Sequence, residues 1–427
     1  MPYIIEKPVG KSVYLYEVTS FWDPAKKQPR QQRTYLGKKD PTTGQPIRAR
    51  STRPRLSKDY GNVYLLRKIA ERIGLSQLLE QIFPEDYPTL LALACFDISE
   101  ATPLYGFPYW VESTAVNGVE PLSSKALTKL TGKLGRLESE RLEFCRHWIK
   151  HVGPVQAVVF DITSLSSYST LFESVEWGYN RDHEPLPQIN LGVIYAEQSN
   201  LPLYYRLYPG SIPDVSTLKN RLNYIKLFEL RESVFVLDRG FYSATNLVHM
   251  AQNQMRFLLP LPRSVNLFSI LRAKHTGHLS NPANSFLFRD EVLFHVQDSI
   301  ALQNLVLQTH LYVDPQRRCD QTTHFLKRIL EVEAAAKQQE FATKTEARQY
   351  LVSQLNGAAD VFRVTGKTGP FEITRKSTIL SQHMATMGTT IMLTNHPSLG
   401  REQILEFYRR KDYLEKTFDI LKNECDG

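Results

Sequence analysis

Two aspartates each close an apolar run, and that placement suits metal or proton chemistry better than packing. Asp161 follows Val155-Gln-Ala-Val-Val-Phe, and Asp238 follows Ser233-Val-Phe-Val-Leu. A carboxylate inside a buried strand is costly without a partner, whereas ligands gather at the carboxyl ends of strands in open α/β sheets. If the two strands are parallel neighbours, about 4.8 Å apart, their terminal carboxylates can share a cation. A single strand-end Asp more often caps a turn; two at matched positions favour a site.

A third carboxylate is offered near the C-terminus. At ~100° per helical residue, counted from Tyr408, Lys411 falls at about 300°, Glu415 at about 340° and Lys422 at about 320°. The four side chains form one stripe. Phe407, Leu414, Phe418 and Leu421 fall on the adjoining apolar face, so the helix can pack by one edge while presenting a carboxylate and two cations at the rim. Asp412 and Asp419 lie near the same face, so spacing alone leaves the choice of third carboxylate open.

These groups need a scaffold, and the pattern from residue 155 supplies one. Val155–Asp161, Gln188–Tyr195 and Leu203–Tyr208 read as strands in a meander, Asp214–Glu229 as a helix, and Ser233–Asp238 as a strand. A helix over Ser243–Gln254 and a strand from Arg256 follow. The order predicts an α/β sheet of mixed strand direction. Residues 265–395 interrupt it with β-rich segments around Phe286–Val313 and a charged helix from about Asp320 to Leu355. Gly388–Asn395 is a closing strand and Gly400–Asn423 a closing helix. Ahead of the sheet, residues 60–150 read as several helices, the one from Ser124 opened by Ser123. Residues 1–40 read as a small β unit, and 40–58 as a linker.

Charge is concentrated near the N-terminus. From Lys26 to Lys58 there are eleven basic residues and one acid, Asp40. That stretch alone carries +10, leaving −2 for the rest of a chain whose net charge is +8. Such a block commonly meets phosphate, though it also suits a solvated arm. The 427 residues exceed one simple core. Hydrophobic residues at 42% and charged ones at 22% suit a globular chain. No apolar run approaches the ~20 residues of a membrane span, and no signal peptide opens the chain, so the expected compartment is the cytoplasm. Cys95, Cys145, Cys319 and Cys425 stand apart without metal-ligand spacing.

Taken together, the motifs resemble those of the DDE transposases of bacterial insertion sequences, in the branch with a Tyr-x2-Arg-x3-Glu-x6-Lys signature. Tyr408, Lys411, Glu415 and Lys422 reproduce its spacing, with Lys where the signature has Arg. Lys keeps the charge but lacks the bidentate fork. Phe160-Asp161-Ile-Thr resembles the first Asp motif and Asp238-Arg-Gly-Phe-Tyr-Ser the second. Pro187-Gln-Ile-Asn-Leu-Gly and Leu207-Tyr-Pro-Gly-Ser-Ile-Pro-Asp resemble the intervening sheet and loop.

The resemblance implies an α/β, RNase H-like mixed sheet with a β-rich insertion, preceded by an N-terminal β hairpin and a helical domain. The expected divisions are a basic hairpin and arm (1–58), a helical DNA-binding domain (59–152), the first part of the catalytic core (153–264), a β-rich and helical insertion (265–385), and the last strand with the Glu-bearing helix (386–427). It implies that Asp161, Asp238 and Glu415 hold two Mg²⁺ ions, with Mn²⁺ able to substitute. It also implies that Tyr408, Lys411, Lys422 and Arg239 contact DNA. The expected partners are transposon ends and target DNA, handled by a homodimer paired on DNA in the bacterial nucleoid, with no membrane. Some relatives cut through a DNA hairpin, stacking a base on a Trp in the insertion. No Trp lies between Asp238 and Glu415, so no hairpin step is assigned. The chain stops five residues after Lys422, which raises a C-terminal truncation. The alternatives are a non-catalytic DNA-binding relic and an RNase H-like nuclease without strand transfer.

Overall fold

A computed structural model describes residues 2–24, 26–47, 57–100, 102–179, 184–212, 228, 230–355, 357–366 and 370–423. The helix expected over Asp214–Glu229 lies outside the described residues but for Phe228, as do Arg48, Arg50, Arg53 and Arg55 of the basic arm. The chain divides into two units, Met1–Asp59 with Ser113–Ala115, and Tyr60–Glu112 with Val116–Gly427.

The first unit is larger than the hairpin expected. Strands β1 (Tyr3–Val9), β2 (Ser12–Asp23), β3 (Gln28–Lys39) and β4 (Pro46–Ile47) pair antiparallel in that order. Part of the expected linker is therefore strand. Gly37 sits at φ +142°, where a Cβ would lie 2.4 Å from the Ile47 carbonyl oxygen. Glycine is what lets β4 pair so closely against β3. Leu15 and Val18 are the sheet's buried apolar residues, while Arg30, Arg33 and Lys38 stay exposed.

The second unit begins with helices Gly61–Arg72, Leu75–Ile82, Tyr87–Glu100, Phe107–Ser113, Ser124–Arg136 and Glu138–Val152. Ser123 caps the fifth, its hydroxyl accepting from the Ala126 N–H. The third carries Leu90-Leu-Ala-Leu-Ala-Cys-Phe, apolar all round and so without a helical period. Phe96 meets Phe107 and Trp110 edge to face in the core of these helices.

A nine-stranded mixed sheet carries the rest. Its strands are β5 (Ala157–Ser166), β6 (Gln188–Ala196), β7 (Leu201–Pro209), β8 (Val234–Val236), β9 (Arg256–Pro260), β10 (Ser285–Phe288), β11 (Glu291–Leu302), β12 (Leu305–Val313) and, after a small hairpin of β13 (Phe362–Thr365) and β14 (Glu372–Arg375), β15 (Thr389–Thr394). The order across the sheet is β10-β11-β12-β15-β9-β8-β5-β6-β7. Only β5, β8 and β9 run parallel. They lie at the centre with apolar faces on both sides, which is why they read as continuous runs rather than alternating ones. The β-rich segment around Phe286–Val313 does not stand apart: it extends this sheet through β12 and β15. The single charged helix expected over 320–355 is two, Pro315–Gln338 and Lys344–Leu355, which build a separate small core with β13 and β14.

The two faces of the sheet bury different partners. Val158, Phe160, Ile162, Phe235 and Leu237 face one cluster with Leu247, Met250 and Phe268. Ala157, Val159, Val234 and Val236 face the other, with Ile404, Phe407, Leu414 and Phe418 of the C-terminal helices. Among the described residues no helix is long and apolar enough to cross a membrane.

Candidate active site

The register of the two central strands sets the site. Val159 of β5 lies opposite Val236 of β8 in a parallel pair. Asp161 and Asp238 each follow two residues later, and the two-residue period of a strand puts Asp161 on the Val159 face. Asp161 is nevertheless not at a strand end. β5 runs on to Ser166 because its antiparallel neighbour β6 continues the ladder, with Val193 opposite Asp161. What stops is β8, whose chain turns off at Asp238 into Arg239–Phe241. Asp161 therefore looks out past its neighbour's end. It is 2% exposed, and its Oδ1 accepts the Ile162 N–H at 2.9 Å.

The third group arrives on the helix Lys411–Asn423, which packs on this face through Leu414 and Phe418. The closing helix expected over Gly400–Asn423 is interrupted. Arg401–Arg409 forms one helix and Lys411–Asn423 another, with Arg410 between them. At the break, Arg410 Nε is 2.8 Å from Glu197 Oε1, and its Nη1 donates to the Glu197 carbonyl oxygen at 3.2 Å. Tyr408 thus belongs to the preceding helix, so the single continuous stripe is not how it reaches the site.

All seven residues singled out from the sequence line one cleft of about 480 Å³: Asp161, Asp238, Arg239, Tyr408, Lys411, Glu415 and Lys422. Its centre is the Lys411 ammonium. Nζ lies 3.0 Å from Glu415 Oε1, 3.2 Å from Asp238 Oδ1 and 3.5 Å from Asp161 Oδ2. Since each oxygen lies within 3.5 Å of one nitrogen, no two are more than about 7 Å apart. Burial would lower the lysine's pKa, but Asp161, Asp238 and Glu415 outweigh it and hold the ammonium above its ordinary range. Burial, and then the Asp238 charge, raise the Tyr408 phenol. Arg239 is exposed and Lys422 half-buried on the cleft wall.

Sequence reasoning did not single out Thr163, two residues beyond Asp161 on the same strand face, or Phe418 as cleft-lining residues. The strand alternation held the signal for Thr163. A second cleft of about 600 Å³ shares Tyr408 and is lined by Arg289, Arg317, Arg409 and Lys416, with Glu291 and Asp314 between them. Arg409 and Lys416 flank the signature residues, but nothing local marked Arg289 or Arg317.

A hard divalent cation takes oxygen ligands such as these. Among the described residues, no three Asp, Glu, His or Cys side chains stand close enough to hold one ion as they are. Within the carboxylate triangle the ammonium fills the space between them. The donor set is all oxygen, the kind a hard cation takes, and it converges on one cation, the Lys411 ammonium.

Two aspartates from parallel neighbouring chain segments and a glutamate from the helix packed beside them thus meet at one buried ammonium. Residues 154–427 match the transposase DDE domain family, and the chain belongs to it. No curated protein matches the chain. Among solved structures, a piggyBac transposase synaptic complex with hairpin DNA aligns over 83% of this chain and 59% of its own, at 8% identity and a TM-score of 0.32. That likeness is too distant to bear on the site.

Proposed function

We propose that the chain is a transposase of the bacterial insertion-sequence branch, that its core is RNase H-like, and that Asp161, Asp238 and Glu415 hold two Mg²⁺ ions, with Mn²⁺ able to replace them. The observation that carries this is the convergence of three carboxylates, from two parallel strands and one helix, on a single cation inside the family-matched region. When bound, such a metal pair supplies an activated nucleophile and neutralises the leaving oxygen. The protein's own part is placement. Asp161 is fixed by β5 and its backbone hydrogen bond, Asp238 by the turn after β8, and Glu415 by the packing of Leu414 and Phe418. Arg239, Lys422 and Tyr408 line the same cleft and would hold the phosphate backbone of a DNA end. The basic stretch Lys26–Lys58 adds sequence-independent phosphate contacts. Joining two ends requires two such sites, hence a homodimer on DNA.

The test is incubation of the full chain with Mg²⁺ and DNA carrying the termini that flank its own gene. Nicks at the terminus and joined products are expected. Cleavage without joining would favour a nuclease, and saturable binding without cleavage a DNA-binding relic.

A further inference from the structure

We propose that Lys411 is an internal counter-cation that assembles the three carboxylates in the metal-free protein and that a divalent metal must displace. This rests on the metal reading above. Three observations carry it. The ammonium has three N–H donors and meets three separate carboxylates, at 3.0, 3.2 and 3.5 Å. Its side chain is only 8% exposed, and that of Asp161 3%, so these partners replace water rather than compete with it. Glu415, at 56%, is the open side of the triangle.

A divalent ion bound by the same oxygens at about 2.0–2.1 Å would lie against the ammonium and repel it, so the two cannot share the triangle. The residue type matters here. Lysine is a compact point charge on a flexible stem, able to sit among three anions and to leave by rotating its own side chain. The planar guanidinium of the arginine in the signature would address one carboxylate through a flat fork. Placing Lys411 at the first position of the helix, four residues before Glu415, keeps it in reach of all three partners without moving the backbone. The consequence is a triad held in shape without metal, at the expense of metal affinity.

Mn²⁺ is the probe, titrated into the full chain without DNA, with the free ion counted by electron paramagnetic resonance. Lys411→Met is expected to bind Mn²⁺ at least about tenfold more tightly than wild type, because a like charge beside the ion is gone. Its melting temperature without metal should fall and rise more on adding Mn²⁺ than that of wild type. Adding Asp161→Asn to Lys411→Met should remove the gain. On the wild-type chain, which sidesteps any folding defect, Lys411 should resist reductive methylation without metal and react when Mn²⁺ is present. Equal affinity in wild type and Lys411→Met, both weakened by Asp161→Asn, would overturn the displacement while leaving the metal reading intact. So would unchanged reactivity of Lys411 at saturating Mn²⁺. Absence of saturable Mn²⁺ binding in every variant would overturn the metal reading itself, and the displacement with it.

Discussion

Arg410 interrupts the C-terminal helices one residue before Lys411, and its removal should be felt at the site. Glu197 is almost wholly buried, its side chain 2% exposed, and Arg410 is its ion-pair partner at 2.8 Å. Breaking a buried pair from one side costs about 3–5 kcal/mol, because the other charge is left uncompensated. Arg410 keeps 29% of its side-chain surface in water, so Arg410→Met should cost about 3 kcal/mol, at the low end of that range. The pH dependence gives a second signature. Burial already raises the Glu197 pKa, and Arg410 opposes the rise. Without the guanidinium it climbs further. A raised folded-state pKa contributes stability that is present at low pH and lost as pH rises through it, so the Arg410→Met deficit should be larger at pH 8 than at pH 5.5. Glu197→Gln in the same chain should recover much of the loss. Urea denaturation of the four members of the cycle at both pH values measures all of this. A deficit below about 1 kcal/mol, or additive effects of the two substitutions, would refute the reasoning.

Three further outcomes follow. His295 and His310 share a hydrogen bond at 3.0 Å between β11 and β12, and burial lowers both to about 4. Rings neutral in the folded chain but protonated when unfolded cost stability as pH falls below about 6.5, so the protein should lose roughly 2 kcal/mol per ring, about 4 in all, by pH 5. His310→Leu should flatten that slope in a pH series of melts. Phe418 fastens the Glu415 helix to the sheet, and Phe418→Ala should destabilise by about 3–5 kcal/mol and depress DNA cleavage more than DNA binding, by thermal melts and gel shift. Binding through Lys26–Lys58 should fall with salt at a log–log slope of several units. Unchanged affinity and slope after Arg30→Gln, Arg33→Gln and Lys38→Gln together, by fluorescence anisotropy, would leave the exposed cations of β3 no part in binding.

Much of the site was legible because it depends on short-range pattern. The apolar runs before Asp161 and Asp238 marked central strands, and the spacing Tyr408, Lys411, Glu415, Lys422 marked a family. What stayed hidden depends on partners far along the chain. β5 outlasts Asp161 because β6 carries its ladder onward, which the run Val158–Phe160 cannot reveal. β11 and β12 read as an insertion but join the main sheet through β15, a pairing across some eighty residues. The break at Arg410 involves Glu197, more than two hundred residues away. The inward turn of Lys411, which the signature suggested for DNA, follows from the unbalanced charge of three converging carboxylates.

The central claim is that Asp161, Asp238 and Glu415 act together as the metal-holding triad of a DNA-cleaving enzyme. The direct measurement is Mg²⁺-dependent cleavage of a transposon-end duplex by wild type, Asp161→Asn, Asp238→Asn and Glu415→Gln, with DNA affinity measured in parallel. Each change removes a ligand charge while nearly keeping shape. Cleavage should therefore fall by orders of magnitude in all three, with binding retained on the Lys and Arg side chains. Normal cutting by Glu415→Gln would contradict the assignment and shift the third ligand to Asp419, which lines the same cleft. Normal cutting by Asp161→Asn or Asp238→Asn would contradict the account as a whole.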